Sequence, residues 1–141
     1  MKISESLTAY GHANILGTHP TTLEITRARD VTLKGDCIVA VSASKSLSDL
    51  GEPLKRILRK SSSDVILRLE VDGLEEAIKG FGDPRLSLTS TEDMVCRKSS
   101  FVCGRTLMVR ADKSAAEIDR DIIRVLRNSK NKVYITIQAG F

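Results

Sequence analysis

Residues 39–71 read VAVSASKSLSDLGEPLKRILRKSSSDVILRLEV, and residues 107–139 read LMVRADKSAAEIDRDIIRVLRNSKNKVYITIQA. The second stretch follows the first at a constant offset of 68 residues, and nine of the 33 aligned pairs are identical without a gap. They are Val41/Val109, Ala43/Ala111, Lys45/Lys113, Ser46/Ser114, Arg56/Arg124, Leu58/Leu126, Arg59/Arg127, Ser61/Ser129 and Val65/Val133. Other pairs exchange like for like, among them Asp49/Glu117, Leu50/Ile118 and Ile57/Val125. Self-similarity at a fixed offset is the mark of a repeated supersecondary unit. Upstream the match loosens: Gly35 falls on Gly104 after one insertion, and Asn14-Ile15 and Thr18 fall on Arg85-Leu86 and Thr89 after two more. The chain reads as a single domain, 1–141, made of two tandem copies, 11–72 and 80–141, joined by a connector at 73–84.

Periodicity predicts β-β-α-β in each copy. Residues 13–26 end by alternating Leu23 and Ile25 with Thr22 and Glu24, the period of a half-buried strand, and Pro20 marks a bend or an edge in it. A strand over Cys37–Ala43 follows. A helix from Leu47 to about Lys60 would bury Leu47, Leu50, Leu54, Ile57 and Leu58 at helical spacing. A strand over Val65–Val71 closes the copy. The second copy offers Leu86-Ser87-Leu88, a strand over Arg105–Arg110, a helix over Ala115–Asn128 burying Ile118, Ile122, Val125 and Leu126, and a strand over Val133–Gln138. Both helices open with a capping pattern, Ser46-x-x-Asp49 and Ser114-x-x-Glu117. Gly51 and Pro53 are expected to loosen the first turns of the first helix. The connector is expected to hold a short helical turn, LEEAIK, and then a glycine-rich turn.

These elements give a β-rich α+β class. A duplicated β-β-α-β unit resembles the half-barrels of cradle-loop barrels, and Leu33-Lys34-Gly35-Asp36-Cys37-Ile38-Val39 resembles their Gly-Asp turn box. In such a turn Gly permits the sharp bend and Asp accepts backbone N–H groups. The resemblance implies a six-stranded barrel with two helices, although the second copy has Arg105 after Gly104 where the box has an acid. The alternative is an open two-layer α+β sandwich with both helices on one face of a six-stranded sheet.

Composition narrows the classes further. A chain of 141 residues with 41% hydrophobic side chains, 28% charged side chains and a net charge of +4 suits a globular domain and excludes a disordered tail, collagen or a coiled coil. No apolar run reaches the roughly 18 residues of a membrane span, so no membrane partner is expected. The first ten residues do not read as a signal peptide. Cys37, Cys96 and Cys103 are odd in number and form no CxxC, which points to reduced thiols in the cytoplasm and to no metal site. Nothing calls for a cofactor, and the pattern is silent on oligomeric state.

Several short runs carry a family likeness. Gly11-His12-x-Asn14, Thr18-His19-x-Thr21-Thr22-x-Glu24, Gly35-Asp36-Cys37, Arg110-Ala111-Asp112-Lys113 and the stretch from Asp93-Met94-Val95-x-Arg97-Lys98-Ser99 through Phe101-Val102-Cys103-Gly104-Arg105-Thr106 are the residues concerned. They resemble the archaeal family catalogued as domain of unknown function number 371. The likeness spans nearly the whole chain and implies a small archaeal cytoplasmic protein. It assigns no role to any position.

Candidate sites follow from chemistry. Lys45-Ser46 and Lys113-Ser114 each precede a predicted helix, where free N–H groups and a lysine suit a phosphate or carboxylate. Lys45, Lys113 and Arg105 are therefore the candidate ligand-binding cations, set against ordinary capped helices with exposed lysines. His12 and His19 are candidate general bases; seven residues apart in one strand, they would lie on opposite faces. His19 aligns with Ser90, so the copies differ there. Asp36 is a third catalytic candidate. Cys103 near Arg105 has the neighbour a nucleophilic thiol needs, whereas Cys37 opens an apolar strand and reads as a packing thiol. From Arg97 to Lys132 there are 10 basic and 4 acidic side chains. Arg97, Lys98, Arg120, Arg124 and Arg127 are the candidate nucleic-acid contacts, against a solvated helix face paired with Glu117 and Asp121. Only five aromatic side chains are present, too few for a base-stacking reader.

The leading functional reading is a binding module for an anionic partner, a nucleic-acid backbone or a phosphorylated small molecule. The alternatives are a small enzyme with a histidine general base and a protein-interaction module using a sheet edge.

Overall fold

A computed structural model describes all 141 residues. Its strands are β1 (Lys2–Tyr10), β2 (Thr22–Thr26), β3 (Ile38–Ala40), β4 (Asp64–Val71), β5 (Leu74–Phe81), β6 (Asp93–Arg97), β7 (Thr106–Met108) and β8 (Lys132–Gly140). Two helices, α1 (Glu52–Leu58) and α2 (Arg120–Leu126), are each preceded by a 3-10 turn, Leu47–Asp49 and Ala115–Glu117. The order strand-strand-strand-turn-helix-strand thus occurs twice.

The strands form two four-stranded sheets. The first has the order β1-β8-β4-β5 and is antiparallel throughout. The second has the order β3-β2-β6-β7, antiparallel at its centre and parallel at both edges. The first sheet alternates strands of the two halves, and the second joins β3-β2 of one half to β6-β7 of the other, so neither half owns a sheet. The inward residues Leu67 and Leu69 of β4 and Ile135 and Ile137 of β8 join Leu23, Ile25, Met94 and Cys96 of the second sheet in one continuous core of 36 buried residues. Helix α1 packs on β1 and β8, and α2 on β3, β4 and β5.

The expected closed barrel is not formed. The two sheets meet at single bridges, Tyr10 with Val41 and Phe81 with Val109. The reason is local: β3 and β7 have three residues each, and the residue after each bridge, Ser42 or Arg110, has a positive φ (54° and 50°) that turns the chain out of the ladder. The open sandwich with one six-stranded sheet is also corrected, since there are eight strands in two sheets.

Four local expectations change as well. LEEAIK is not a helical turn but the body of β5. Its intrinsic helix preference yields to pairing with β4 across a two-residue turn, Asp72-Gly73, with φ of 50° and 77° at its two positions. Residues 13–21 are irregular rather than the start of a strand, and Leu86-Ser87-Leu88 is loop, with the strand beginning only at Asp93. Each long helix is broken. Leu50 and Ile118 are extended after the 3-10 turns, and Pro53 sits in the first turn of α1, where its missing N–H costs nothing. The capping acids do fold back as expected: Asp49 accepts the Ser46 N–H at 2.9 Å and Glu117 the Ser114 N–H at 3.1 Å.

Candidate functional site

On β2, Leu23 and Ile25 point into the core, so alternation turns Thr22, Glu24 and Thr26 to the other face of the second sheet. Their partners on β6 are Arg97, Val95 and Asp93. That face therefore collects ionisable groups from two strands, and Arg105, just before β7, reaches over it. The Arg105 Nη1 lies 3.5 Å from Glu24 Oε1 and 3.7 Å from Asp93 Oδ2. Its side chain is half exposed and donates no hydrogen bond to any protein oxygen, its other polar neighbour being the Cys103 sulfur.

Glu24 is the unusual member. Its side chain is only 10% exposed, and its carboxyl makes no hydrogen bond, its nearest partner being Arg105. Burial, followed by the charge of Asp93, raises its pKa to about 7 against the pull of Arg105 and Arg97. The folded state thus holds a proton that the unfolded chain, at 4.5, has released. Stability should fall as pH rises from about 4.5 through about 7, by at most about 3 kcal/mol for a shift of this size. Glu24→Gln should remove that slope and be the more stable protein above pH 7, as read from urea midpoints across pH.

Beside it, the Cys103 sulfur is an acceptor. Arg97 Nη2 donates to its Sγ at 3.2 Å, and the Thr106 hydroxyl lies 3.8 Å away. The Thr106 oxygen in turn accepts from Arg97 Nε at 2.9 Å and from the Cys103 N–H at 3.1 Å. Burial pushes this thiol up, but the Arg105 N–H, the Thr106 hydroxyl and Arg97 together outweigh it and bring it down to about 7. On the opposite edge, burial and then the Glu24 charge raise the Cys37 thiol, despite the Thr22 hydroxyl beside it. Cys96, fully buried, is pushed up to about 12.

The histidines do similar work at separate places. The Nδ1 of His12 accepts the Asn14 N–H at 3.0 Å, and its Nε2 faces Asp30 at 3.5 Å. The Nδ1 of His19 accepts the N–H groups of Thr21 and Thr22, each at 3.2 Å. Each ring fastens a turn, which leaves its proton on Nε2. The His19 segment is docked by Asp36, whose carbonyl accepts the Thr18 and His19 N–H groups. His19 thus reaches the edge of the cluster through Thr22, while His12 lies at the end of α2, where its N–H bonds the Leu126 carbonyl.

Lys45 and Lys113 are not brought together. Lys45 pairs with Glu5 of β1 at 3.4 Å, and Lys113 pairs with Glu76 of β5. Those strands are opposite edges of the first sheet, three spacings of about 4.8 Å apart. The same carboxylates accept the backbone N–H groups of Gly51 (2.7 Å) and Asp119 (3.4 Å), so each glutamate tethers a lysine and the start of a helix. Among the five basic residues, Arg120 spends its guanidinium on the carbonyls of Gly17, Ala115 and Ile118. Lys98 pairs with Glu117 at 2.6 Å and Arg124 with Asp121 at 2.9 Å. Arg127 reaches only the Ala13 carbonyl, at 3.4 Å, and Arg97 belongs to the cluster.

Sequence reasoning missed Glu24, Asp93 and Thr106 as site residues. The signal available was their place in the family-like runs, which come from both halves and meet here. It also missed the largest hollow, about 600 Å³ on the outer face of the first sheet, where Lys2, Lys79 and Arg110 stand beside Phe81. No helix of the chain is long and apolar enough to cross a membrane.

Comparison with known proteins concerns nearly the whole chain. The family described as "Domain of unknown function (DUF371)" matches residues 7–140. The uncharacterized protein MJ0206 of Methanocaldococcus jannaschii is 42% identical over 126 residues, covering 89% of this chain and 93% of its own length. A match from β1 to the end of β8, with that identity over that coverage, places the chain in the DUF371 family.

Proposed function

We propose that the outer face of the second sheet binds a small anionic ligand, a phosphorylated or carboxylated molecule, with Arg105 as the principal holder and Arg97 beside it. The observation that carries this reading is the state of Arg105. Its planar fork of donors suits a phosphate or carboxylate, yet it rests beyond hydrogen-bond length from two carboxylates, 3.5 and 3.7 Å away, and half of it faces solvent. One of those carboxylates titrates near neutrality, so the competition for Arg105 is weak. Arg97 differs, because its Nε and one Nη are already bonded to Thr106 and Cys103. The other cations first suspected, Lys45 and Lys113, already hold internal anions. Treating the halves as diverged copies adds support, since the Glu24 position of one faces the Val95 position of the other, as one specialised half would produce.

Calorimetric titration with inorganic pyrophosphate tests the reading. Arg105→Ala should weaken binding by about tenfold or more, the scale of a lost charged hydrogen bond, while Arg124→Ala leaves it unchanged. An equal loss in both variants, with a steep salt dependence, would favour a nucleic-acid backbone instead.

A small enzyme is the second reading, favoured by two groups, Glu24 and Cys103, that both titrate near 7. The base would then be Glu24 rather than either histidine, whose Nδ1 is occupied by turn N–H groups.

A further inference from the structure

Glu24 is out of keeping with its surroundings. Its side chain is nine-tenths buried, and the one donor near its carboxyl is Arg105, 3.5 Å away. A largely buried carboxylate with a single long contact lowers stability. The fold does not require it there. Directly across the ladder, on the same face, the register position is filled by Val95, which is 2% exposed. The second sheet therefore accepts an apolar side chain at this depth. The neighbours that face Glu24 are Asp93 and Arg97 from β6, Cys37 before β3 and Arg105 before β7. None of them donates to its oxygens at bonding length.

We infer that the ligand carries a hydrogen-bond donor, a hydroxyl or ammonium group, a few bonds from its anionic group, and that Glu24 receives this donor while Arg105 holds the anion. The inference rests on the anion-binding reading above and narrows it to a class. The spacing follows from the 3.5 Å between Glu24 Oε1 and Arg105 Nη1. Two ligand atoms, each about 2.8 Å from its own partner, then lie roughly 3–6 Å apart. Hydroxyalkyl phosphates and aminoalkyl phosphates have that span. A plain alkyl phosphate does not satisfy Glu24.

Three matched probes separate the possibilities: propyl phosphate, glycerol 3-phosphate and phosphoethanolamine, titrated into the full chain at pH 8. The wild-type protein should bind the two donor-bearing probes about tenfold or more tightly than propyl phosphate. In Glu24→Met the three should bind within about twofold of one another, with propyl phosphate held no more weakly than before because Arg105 has lost a competitor. The thermal midpoint of Glu24→Met should be no lower than wild type, which a structural acid would not allow. Equal binding of all three probes by wild type overturns this inference and leaves the anion site standing. A preference that survives in Glu24→Met overturns it as well. Binding of none of the three overturns both readings.

Discussion

Iodoacetamide at pH 7 is expected to label Cys103 first, Cys37 more slowly, and Cys96 not at all while the protein is folded. The thiolate is the reactive form, and at pH 7 a thiol with a pKa of about 7 is half ionised, against about 1% at the ordinary value of 9.0. The lower basicity of the stabilised thiolate returns part of that gain, leaving an advantage of about fivefold over a normal exposed thiol. Cys96 differs by far more, because a pKa of about 12 leaves about one part in 100,000 ionised and full burial bars the reagent. The rate at Cys103 should rise with pH and level off near pH 8. Arg97→Met should move that profile upward, since it removes the 3.2 Å donor to Sγ. Peptide mapping by mass spectrometry reads all three sites in one experiment. Equal labelling of Cys37 and Cys103 would contradict the assigned environments.

Gly11→Ala and Gly82→Ala form the second large effect. Each should lower stability by at least about 3 kcal/mol, the range of severe overpacking against atoms that cannot move aside. The positions correspond, since Gly11 follows β1 and Gly82 follows β5. A methyl group at Gly11 would run into the carbonyls of Leu126 and Asn128, and one at Gly82 into the Leu58 carbonyl and the Ser63 hydroxyl. The approach is part of the structure: the next residue, His12 or Asp83, donates its N–H to the same last helical carbonyl at 2.9 or 3.0 Å. For a domain of this size the thermal midpoint should fall by about 10 °C. Gly73→Ala is the comparison, where no atom lies within 4 Å and the loss should be about 1 kcal/mol from the positive φ alone.

The apolar stripes show how far the sequence speaks. The strands β4 and β8 and the buried faces of α1 and α2 follow from periodicity because every inward position is apolar. β1 and β5 escape the same test because each has a glutamate facing inward, Glu5 and Glu76, amid Ile3, Leu7 and Ile78. Those acids are tolerated because Lys45 and Lys113, 40 and 37 residues away in sequence, reach them, as do the Gly51 and Asp119 N–H groups. A pairing over such distances leaves no local pattern. The Asp-Gly turn at 72–73 was the local signal for β5, and the helix-forming run after it masked that signal. The site divides in the same way. Arg105 and Arg97 stand out by charge and by the family-like run. Glu24 looks like the solvent side of a half-buried strand, and only tertiary packing shows that it is covered.

The interleaving of strands has a consequence for synthesis. β1, made before the other strands, has a single ladder partner, β8, and pairs with it from Lys2 with Gly140 to Tyr10 with Lys132. On the ribosome its ladder must therefore wait until β8 has left the exit tunnel, with only the bonds of Thr8 and Tyr10 to Ser44 and Val41 available before then. Only the β4–β5 hairpin can form early in the first sheet, so most of its pairing waits for β8. A break in the backbone between the halves, by contrast, need not be fatal. Two separately made fragments, 1–72 and 73–141, present complementary unpaired edges to one another, and co-expression should reconstitute what neither reaches alone.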